Sequence, residues 1–358
     1  MKNDIIYPLR RLHGFLYEIM MKIKFFIKCF FPLGKKYFFL ATPEHDNLGD
    51  SAICISQINF LKSCGIDTNH IKEITYNEFR YKYKIRFFKK VIKDSDVIIF
   101  PGGGNMGNQW KNEDELRFEI IENFPNNKIL IFPQSIYFTN NEAGNLAKEF
   151  SKKYYTNNHN LTIFARDKIS FSIMKDLYIG TNIQFCPDIV LSQSLKNFTD
   201  IKYSNNEVLL CLRNDAEKSL TDYEITSLEA FLIKNNISYR FTDTSKQNNA
   251  PVSKHGRYSD VQNKIKEISS AKLIITDRLH GMIFSAISET PCITLANYSH
   301  KIKEAYNTIS YIDYIKYANS INEVFTLIPE MLIIKNCKYT NKPILNYYKN
   351  LEEVVKNS

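Results

Sequence analysis

The sequence predicts an α/β protein built from two Rossmann-like domains facing a cleft. Three observations carry this. Short apolar runs alternate with helical segments along most of the chain, the pattern of parallel strands with helices on both faces. The runs form two series on either side of a polar stretch at 194–206, "SLKNFTDIKYSNN". Charged and amide side chains gather just past the carboxyl ends of the runs, where open parallel sheets bind ligands. A length of 358 residues also favours two domains of ordinary size over one. The expected layout is a basic amphipathic segment at 1–36, a first domain at 37–195, a second at 205–320 and a helical segment at 321–358.

The elements follow in order. "YFFLAT" (37–42) reads as a strand, followed by the turn "PEHDNLGD" and a helix from Ser51 to about Ser63. "DVIIF" (96–100) ends in "PGGGNMGN" and "KILIF" (128–132) ends in "PQS". "LTIFA" (161–165) runs into "RDKISFSIMKDL", and "IQFC" (183–186) into "PDIVLS". In the second series "EVLLCL" leads into "RND", then come a helix around 222–235, "ISYRFTD" and a helix around 260–270. "KLIIT" leads into "DRLHG", and "CITLAN" follows. The strand ends thus carry Asn47, Gly49 and Asp50; Gly102 to Asn105; Gln134 and Ser135; Arg166; Asp188; Arg213; and Arg278 with His280.

The formal charge of +9 is not spread as nucleic-acid binding requires. Residues 1–37 hold a net +6, and 80–93 hold seven Lys/Arg with no acid. The rest is mildly acidic, so the excess is two local patches. Seven scattered cysteines with no C-x-x-C pair suit reduced thiols in the cytoplasm and offer no zinc spacing. "RRLHGFLYEIMMKIKFFIKCFF" lacks both the long uncharged run of a spanning helix and the cleavage site of a signal peptide. Its Leu12, Phe15, Leu16, Ile19, Ile23, Phe26, Ile27 and Phe30 share an arc of roughly 120°, with Arg11, Lys22, Lys24 and Lys28 off it. Such a helix suits an anionic membrane surface, as does the second patch, "RYKYKIRFFKK". Packing on its own domain or on a dimer partner is the alternative.

Each motif has a plain reading beside a functional one. "NLGDSAI" puts Gly49 in a tight turn and Asp50 or Ser51 at a helix N-cap, whose amides either serve the helix alone or hold an anion or sugar hydroxyl. "PGGGNMG" formally matches a dinucleotide fingerprint, but no helix follows at once and the next strand ends without an acid for a ribose. Gly103, Gly104 and Asn105 then read as a ligand-facing loop. Arg166 in "ARDKIS" is an ion-pair partner or a clamp for carboxylate and phosphate, while Asp167 and Ser170 are spaced to support the next helix. Asp188 reads as structural. In "TDRLHG", His280 follows a buried strand and opens a helix whose N-terminus favours anions. With Arg278 and Lys301 ("NYSHKIKE") nearby in sequence order, three cationic side chains are expected to meet one anionic group.

Taken in order, "NLGDSAI", "PGGG", "FPQS", "ARDKIS", "PDIVLS", "LR" at 212–213, "DRLHGMIFSAISETPCI" and "NYSHKI" resemble the bacterial polysaccharide pyruvyltransferases over roughly residues 37–306. The resemblance implies a fold like the two-domain GT-B glycosyltransferases. It implies transfer of pyruvate from phosphoenolpyruvate to a sugar as a ketal, with Arg166, His280 and Lys301 as the donor-handling and catalytic positions. For that chemistry His280 is the expected acid. Arg166, Arg278, Lys301, Gly103 and Gly104 are then expected around the donor, and Asn47, Asp50, Asn105, Gln134 and Arg213 line the acceptor side or cleft. No metal or cofactor is expected beyond phosphoenolpyruvate as co-substrate. The expected partners are a sugar acceptor, lipid-linked, and an anionic membrane surface, for a protein that is cytoplasmic and peripheral on the membrane. Two competing readings are a GT-B glycosyltransferase using a nucleotide sugar and a non-catalytic scaffold of polysaccharide assembly. The basic segment 1–36 falls outside the motifs.

Overall fold

Apolar runs of four to six residues are too short for helices, and here they pair side by side as parallel strands. The computed structural model describes residues 16–17, 19–199, 206–215, 218–246, 250–296 and 301–358. A helix over 19–30 (α1) comes first. The first domain then contains β1 (Tyr37–Thr42), α2 (Leu48–Ser63), β2 (Ile71–Thr75), α3 (Lys84–Val91), β3 (Val97–Phe100), β4 (Gly103–Gly107), α4 (Lys111–Asn123) and β5 (Lys128–Tyr137). It closes with α5 (Glu142–Tyr155), β6 (Leu161–Ala165), α6 (Lys168–Leu177) and β7 (Asn182–Phe185). The second contains β8 (Val208–Cys211), α7 (Asp222–Lys234), β9 (Tyr239–Thr242), α8 (Arg257–Ser270), β10 (Leu273–Thr276), α9 (Leu279–Ile287), β11 (Cys292–Leu295), α10 (Lys301–Ile309), β12 (Ile315–Ala318) and α11 (Ile321–Leu332). A last helix, α12 (Leu345–Lys356), follows.

The first sheet has seven parallel strands in the order β2-β1-β3-β5-β6-β7, with β4 also on β5. The second has five, in the order β12-β11-β10-β8-β9. The strands β3, β6, β8, β10 and β11 are buried throughout, because helices cover both faces. β5 is twice as long as expected. Its first half pairs with β3 and its second with β4, so the glycine triplet is a jog in a strand line rather than a strand-to-helix turn.

Three strands went unforeseen. β2 and β12 lie at sheet edges and carry charges that blur the apolar signal. On β2 these charges have work to do: Lys72 Nζ donates to the Phe31 and Asn69 carbonyls (2.5 and 2.6 Å) and Glu73 pairs with Arg257 (2.6 Å). β4 was hidden by its glycines, which have poor strand propensity.

One apolar core lies on the outer side of the first sheet and another on the outer side of the second. A third joins the domains. Phe39, Ile99 and Phe132 of the first sheet share it with Leu209, Ile274 and Cys292 of the second, filled in by α2, α8 and α9. Tyr348, Leu351 and Val355 of α12 belong to the same core, and Tyr348 Oη donates to the carbonyl of Asp188 at 2.8 Å. This continuous packing fixes the cleft floor. Of the linker stretch, 200–205 lies outside the described residues.

Candidate functional site

The site grows from four strand ends of two sheets. β6 delivers Arg166, whose amide donates to the Gln134 carbonyl at 2.8 Å. Asp167 caps α6 by accepting from Ser170 N (2.7 Å), and its other oxygen accepts from Ser135 Oγ (2.6 Å). Ser135 Oγ in turn accepts from Arg166 Nε at 3.1 Å. The guanidinium is therefore steered by a hydroxyl that is itself held by a carboxylate. β7 leads into Cys186-Pro187-Asp188. There Asp188 Oδ1 accepts from Val190 N (3.0 Å), and Oδ2 meets Arg166 Nη1 at 3.0 Å.

The second domain brings His280 to the same oxygen. His280 Nε2 lies 3.6 Å from Asp188 Oδ2, a charge-pairing distance rather than a hydrogen bond, and Nε2 has no hydrogen-bond partner. Asp188 is buried, which alone would raise its pKa. The imidazole of His280, the charge of Arg166 and the Val190 amide outweigh that cost and hold it at about 2. The opposite side of the ring rests on Gly49 at the start of α2: an ideal Cβ there would lie 2.1 Å from His280 Nδ1. Only glycine permits this approach. Gly104 plays the same part for two cations, with a Cβ there falling 3.1 Å from Arg166 Nη2 and 3.3 Å from Lys301 Nζ. Lys301 Nζ reaches the Gly104 carbonyl at 3.4 Å. Arg166, Lys301, His280 and Asp188 thus converge where β4 and the N-terminus of α2 meet the second domain.

The other expected residues sort into supporting roles. Asn47, rather than Asp50 or Ser51, caps α2, accepting from Gly49 N (2.8 Å) and Asp50 N (3.4 Å). It also bridges to Ser245, while Leu48 N donates to the Thr244 carbonyl at 2.8 Å. The amides of that first turn are thus bound to protein groups, those of Gly49 and Asp50 by Asn47 and that of Leu48 across the domain boundary. Asp50 is part-exposed, 3.4 Å from His45 and beside Gly103. Gln134 is fully buried and braces the glycine segment, donating to Pro101 O (2.8 Å) and Asn105 Oδ1 (2.9 Å) while accepting from Asn105 N (3.3 Å). Arg117 donates to the same Asn105 oxygen.

Arg278 departs from the expectation of a donor-facing cation. It stands at the N-cap position of α9 without a side-chain capping bond, and its guanidinium is held by Asp215 and Asp243, each at 2.7 Å. Arg213 shares Asp215 at 3.0 Å, and its amide donates to Asp277 Oδ1 at 2.8 Å. Two carboxylates already neutralise Arg278, so it organises the loops at the ends of β8, β9 and β10. Asp277 beside it is fully buried; burial, against the Arg213 amide, raises its pKa to about 6.

Asp188, expected as a structural residue holding the interdomain region, does join the domains by meeting Arg166 of the first and His280 of the second; one participant escaped the sequence reading. Gly49 was read as a turn residue, and nothing in the sequence says that an imidazole from 231 positions away would sit on it. Among the described residues no group of three His, Cys, Asp or Glu is placed to hold a metal ion.

The polysaccharide pyruvyl transferase family model matches residues 47–300, which spans every position of this constellation except Lys301. General stress protein 30 of Bacillus subtilis is 31% identical over 83% of this chain and 85% of its own length. Pyruvyl transferase 1 of Schizosaccharomyces pombe is 26% identical over 79% and 72%. The solved UDP-GlcNAc 2-epimerase of Methanocaldococcus jannaschii is 12% identical, with a TM-score of 0.52 over 91% of this chain and all of that one. At that identity the likeness concerns fold alone, and it is the GT-B-like arrangement of two Rossmann-like domains. The chain belongs to the polysaccharide pyruvyl transferase family.

Proposed function

We propose that this chain moves pyruvate from phosphoenolpyruvate to two hydroxyls of a sugar in a lipid-linked polysaccharide precursor, closing a cyclic ketal. Family membership supports pyruvate transfer onto polysaccharide. The observation that carries the finer reading is the convergence of Arg166, Lys301 and His280 around Gly104 and Asp188.

In this reading Arg166 and Lys301 receive the carboxylate and phosphate of the donor. The imidazolium of His280 gives a proton to the methylene carbon, leaving the adjacent carbon electron-poor. A sugar hydroxyl adds there and gives up its proton to the imidazole left neutral by the first transfer. The second hydroxyl then displaces phosphate: the bond between that carbon and the bridging oxygen of the phosphate breaks, and the second hydroxyl's proton leaves with the phosphate. One phosphoenolpyruvate and one diol yield one ketal and one inorganic phosphate, and the cations stabilise the departing charge. Asp188 keeps the imidazolium and Arg166 in register without entering the bond changes. No cofactor is required by this sequence of steps.

The test is direct. His280→Ala should bind phosphoenolpyruvate in calorimetry as the parent does, yet release no phosphate with extracted lipid-linked glycan as acceptor. Full turnover in that variant, or parent protein that binds UDP-sugars and ignores phosphoenolpyruvate, overturns the proposal. In cells, removal of the protein should lower the mass of each glycan repeat by pyruvate less water.

A further inference from the structure

Helix α1 is docked with its apolar stripe outward. Phe25 and Cys29 are the side chains it buries, and Phe25 stacks on Tyr83 at 3.9 Å between ring centres. The opposite side carries Ile19, Ile23, Phe26 and Ile27, which are 38 to 54% exposed, and the chain just beyond adds Phe31 and Leu33 at 52 and 66%. A helix that packed only on its own domain would turn that stripe inward. Leu12 and Phe15 of the expected arc lie outside the described residues.

The two basic stretches that are separate in sequence are neighbours in space. Phe26 meets Phe87 edge-on at 6.2 Å, and Lys93 Nζ lies 5.2 Å over the Phe30 ring. On α1, Lys24 and Lys28 flank the stripe on one side and Lys22 on the other, all exposed. Phe79 stacks on Phe88, which touches Phe25. Beyond Phe79 opens a cavity of about 370 Å³ lined also by Arg80, Lys84, Ile85, Arg86 and Glu119. An apolar stripe edged with lysines, beside a hollow lined by Lys84, Arg86, an Arg80 paired with Glu119 at 3.0 Å and two apolar side chains, matches the boundary between acyl chains and anionic headgroups.

We infer that α1 and the adjoining α3 region form a docking surface for an anionic phospholipid bilayer, with the stripe entering the interface and the cations on headgroup phosphates. Charge decides between this occupant and a second copy of the chain. A two-fold contact would press the same patch against itself, lysines against lysines, which is repulsive. A phosphatidylglycerol surface is complementary instead. Among the described residues no helix is long and apolar enough to cross a membrane, so the contact is peripheral. It does not depend on the reaction proposed above.

The experiment is vesicle co-sedimentation of the full chain with phosphatidylcholine alone and with phosphatidylcholine containing phosphatidylglycerol. The parent should bind only the anionic vesicles and release as salt rises. Ile23→Asp with Ile27→Asp, at positions 54 and 50% exposed, should abolish binding with circular dichroism and thermal midpoint unchanged. Lys24→Gln with Lys28→Gln should lower partitioning about 25-fold, taking about 1 kcal/mol per basic side chain at an anionic surface. Phosphoenolpyruvate binding in solution should be the same in all variants, so failure here leaves the catalytic reading standing. Parent that ignores both vesicles, or an Ile23/Ile27 variant that binds as well as parent, overturns the inference. So does a parent dimer without lipid affinity that the aspartates convert to monomer.

Discussion

Gly49→Ala is the sharpest perturbation of the site, because it alters one methyl group and no charge. An ideal Cβ at 49 would fall 2.1 Å from His280 Nδ1, 2.4 Å from Cγ and 2.9 Å from Cβ, whereas ordinary contact begins at 3.4 Å. The ring must therefore retreat by more than about 1 Å. It has little room to do so: His280 is 7% exposed, Asp188 stands on its other side at 3.6 Å and Phe284 lies at 5.7 Å between ring centres. Either the imidazole leaves Asp188 or the domains part at the Gly49 contact. A displacement of that size from a reacting centre costs on the order of 100-fold in rate, while local overpacking costs about 1–3 kcal/mol in stability. The expected result is a drop in kcat of about two orders of magnitude with folding retained, read by phosphate release from phosphoenolpyruvate and by thermal unfolding.

Gly65→Ala provides the scale for that stability loss. Gly65 has φ +89° and no atom within 4 Å of its would-be Cβ, so alanine there pays about 1 kcal/mol for left-handed backbone and should leave turnover alone. If Gly49→Ala turns over within about twofold of the parent while Gly65→Ala behaves as stated, the apposition of Gly49 and His280 is no part of the working geometry.

Four more expectations follow from buried charges. Asp188→Asn leaves Arg166 and His280 without their shared carboxylate and should lose about 3–5 kcal/mol in denaturant unfolding. With a folded pKa near 2 against an unfolded value near 3.9, the parent's contribution from Asp188 is present above about pH 4 and fades as pH falls through 2, an acid limb the variant should lack. Asp277 has the opposite sign: its folded pKa of about 6 exceeds the unfolded one, so its contribution weakens as pH rises from about 4 to 6. Asp277→Asn should gain about 2–3 kcal/mol on the parent at pH 7 relative to pH 4, by chemical denaturation at both. Arg278→Gln should lower the thermal midpoint by exposing Asp215 and Asp243 to each other, yet change phosphoenolpyruvate affinity little. Arg166→Gln should weaken that affinity at least about tenfold in calorimetry.

The buried strands were legible because burial on both faces makes them uninterrupted apolar runs, as in "LTIFA", which is β6 at its expected bounds. Edge strands such as β2 and β12 were not, since they carry Lys72, Glu73 and Lys316 within their short runs, the first buried against the Phe31 and Asn69 carbonyls and the second paired with Arg257. At the site, Arg166 and His280 were visible as polar residues just past strand ends, and Lys301 as a basic residue after the following strand. The role of Arg278 was not visible, because its carboxylate partners lie 63 and 35 positions away. Pattern reading sees the charge on a side chain and misses the charge that answers it across a loop.

That asymmetry explains why the constellation sits on the domain boundary. Arg166, Ser135, Asp167 and Asp188 are pre-arranged within the first domain by hydrogen bonds that do not involve the second. His280 and Lys301 are carried by α9 and α10 and complete the site by resting on Gly49 and Gly104. Contact between the domains thus brings His280 and Lys301 up to Arg166 and Asp188. The contacts that must form are backbone surfaces bared by glycine, which accept a ring or an ammonium group without first displacing a side chain. Meanwhile the apolar seam of α2, α8 and α12 holds the rest of the boundary together. A site divided in this way is incomplete in either domain alone. The same contact that brings His280 to Asp188 leaves both buried, and on the donor reading proposed above the charges in so dry a site would act on a phosphate more strongly than in water.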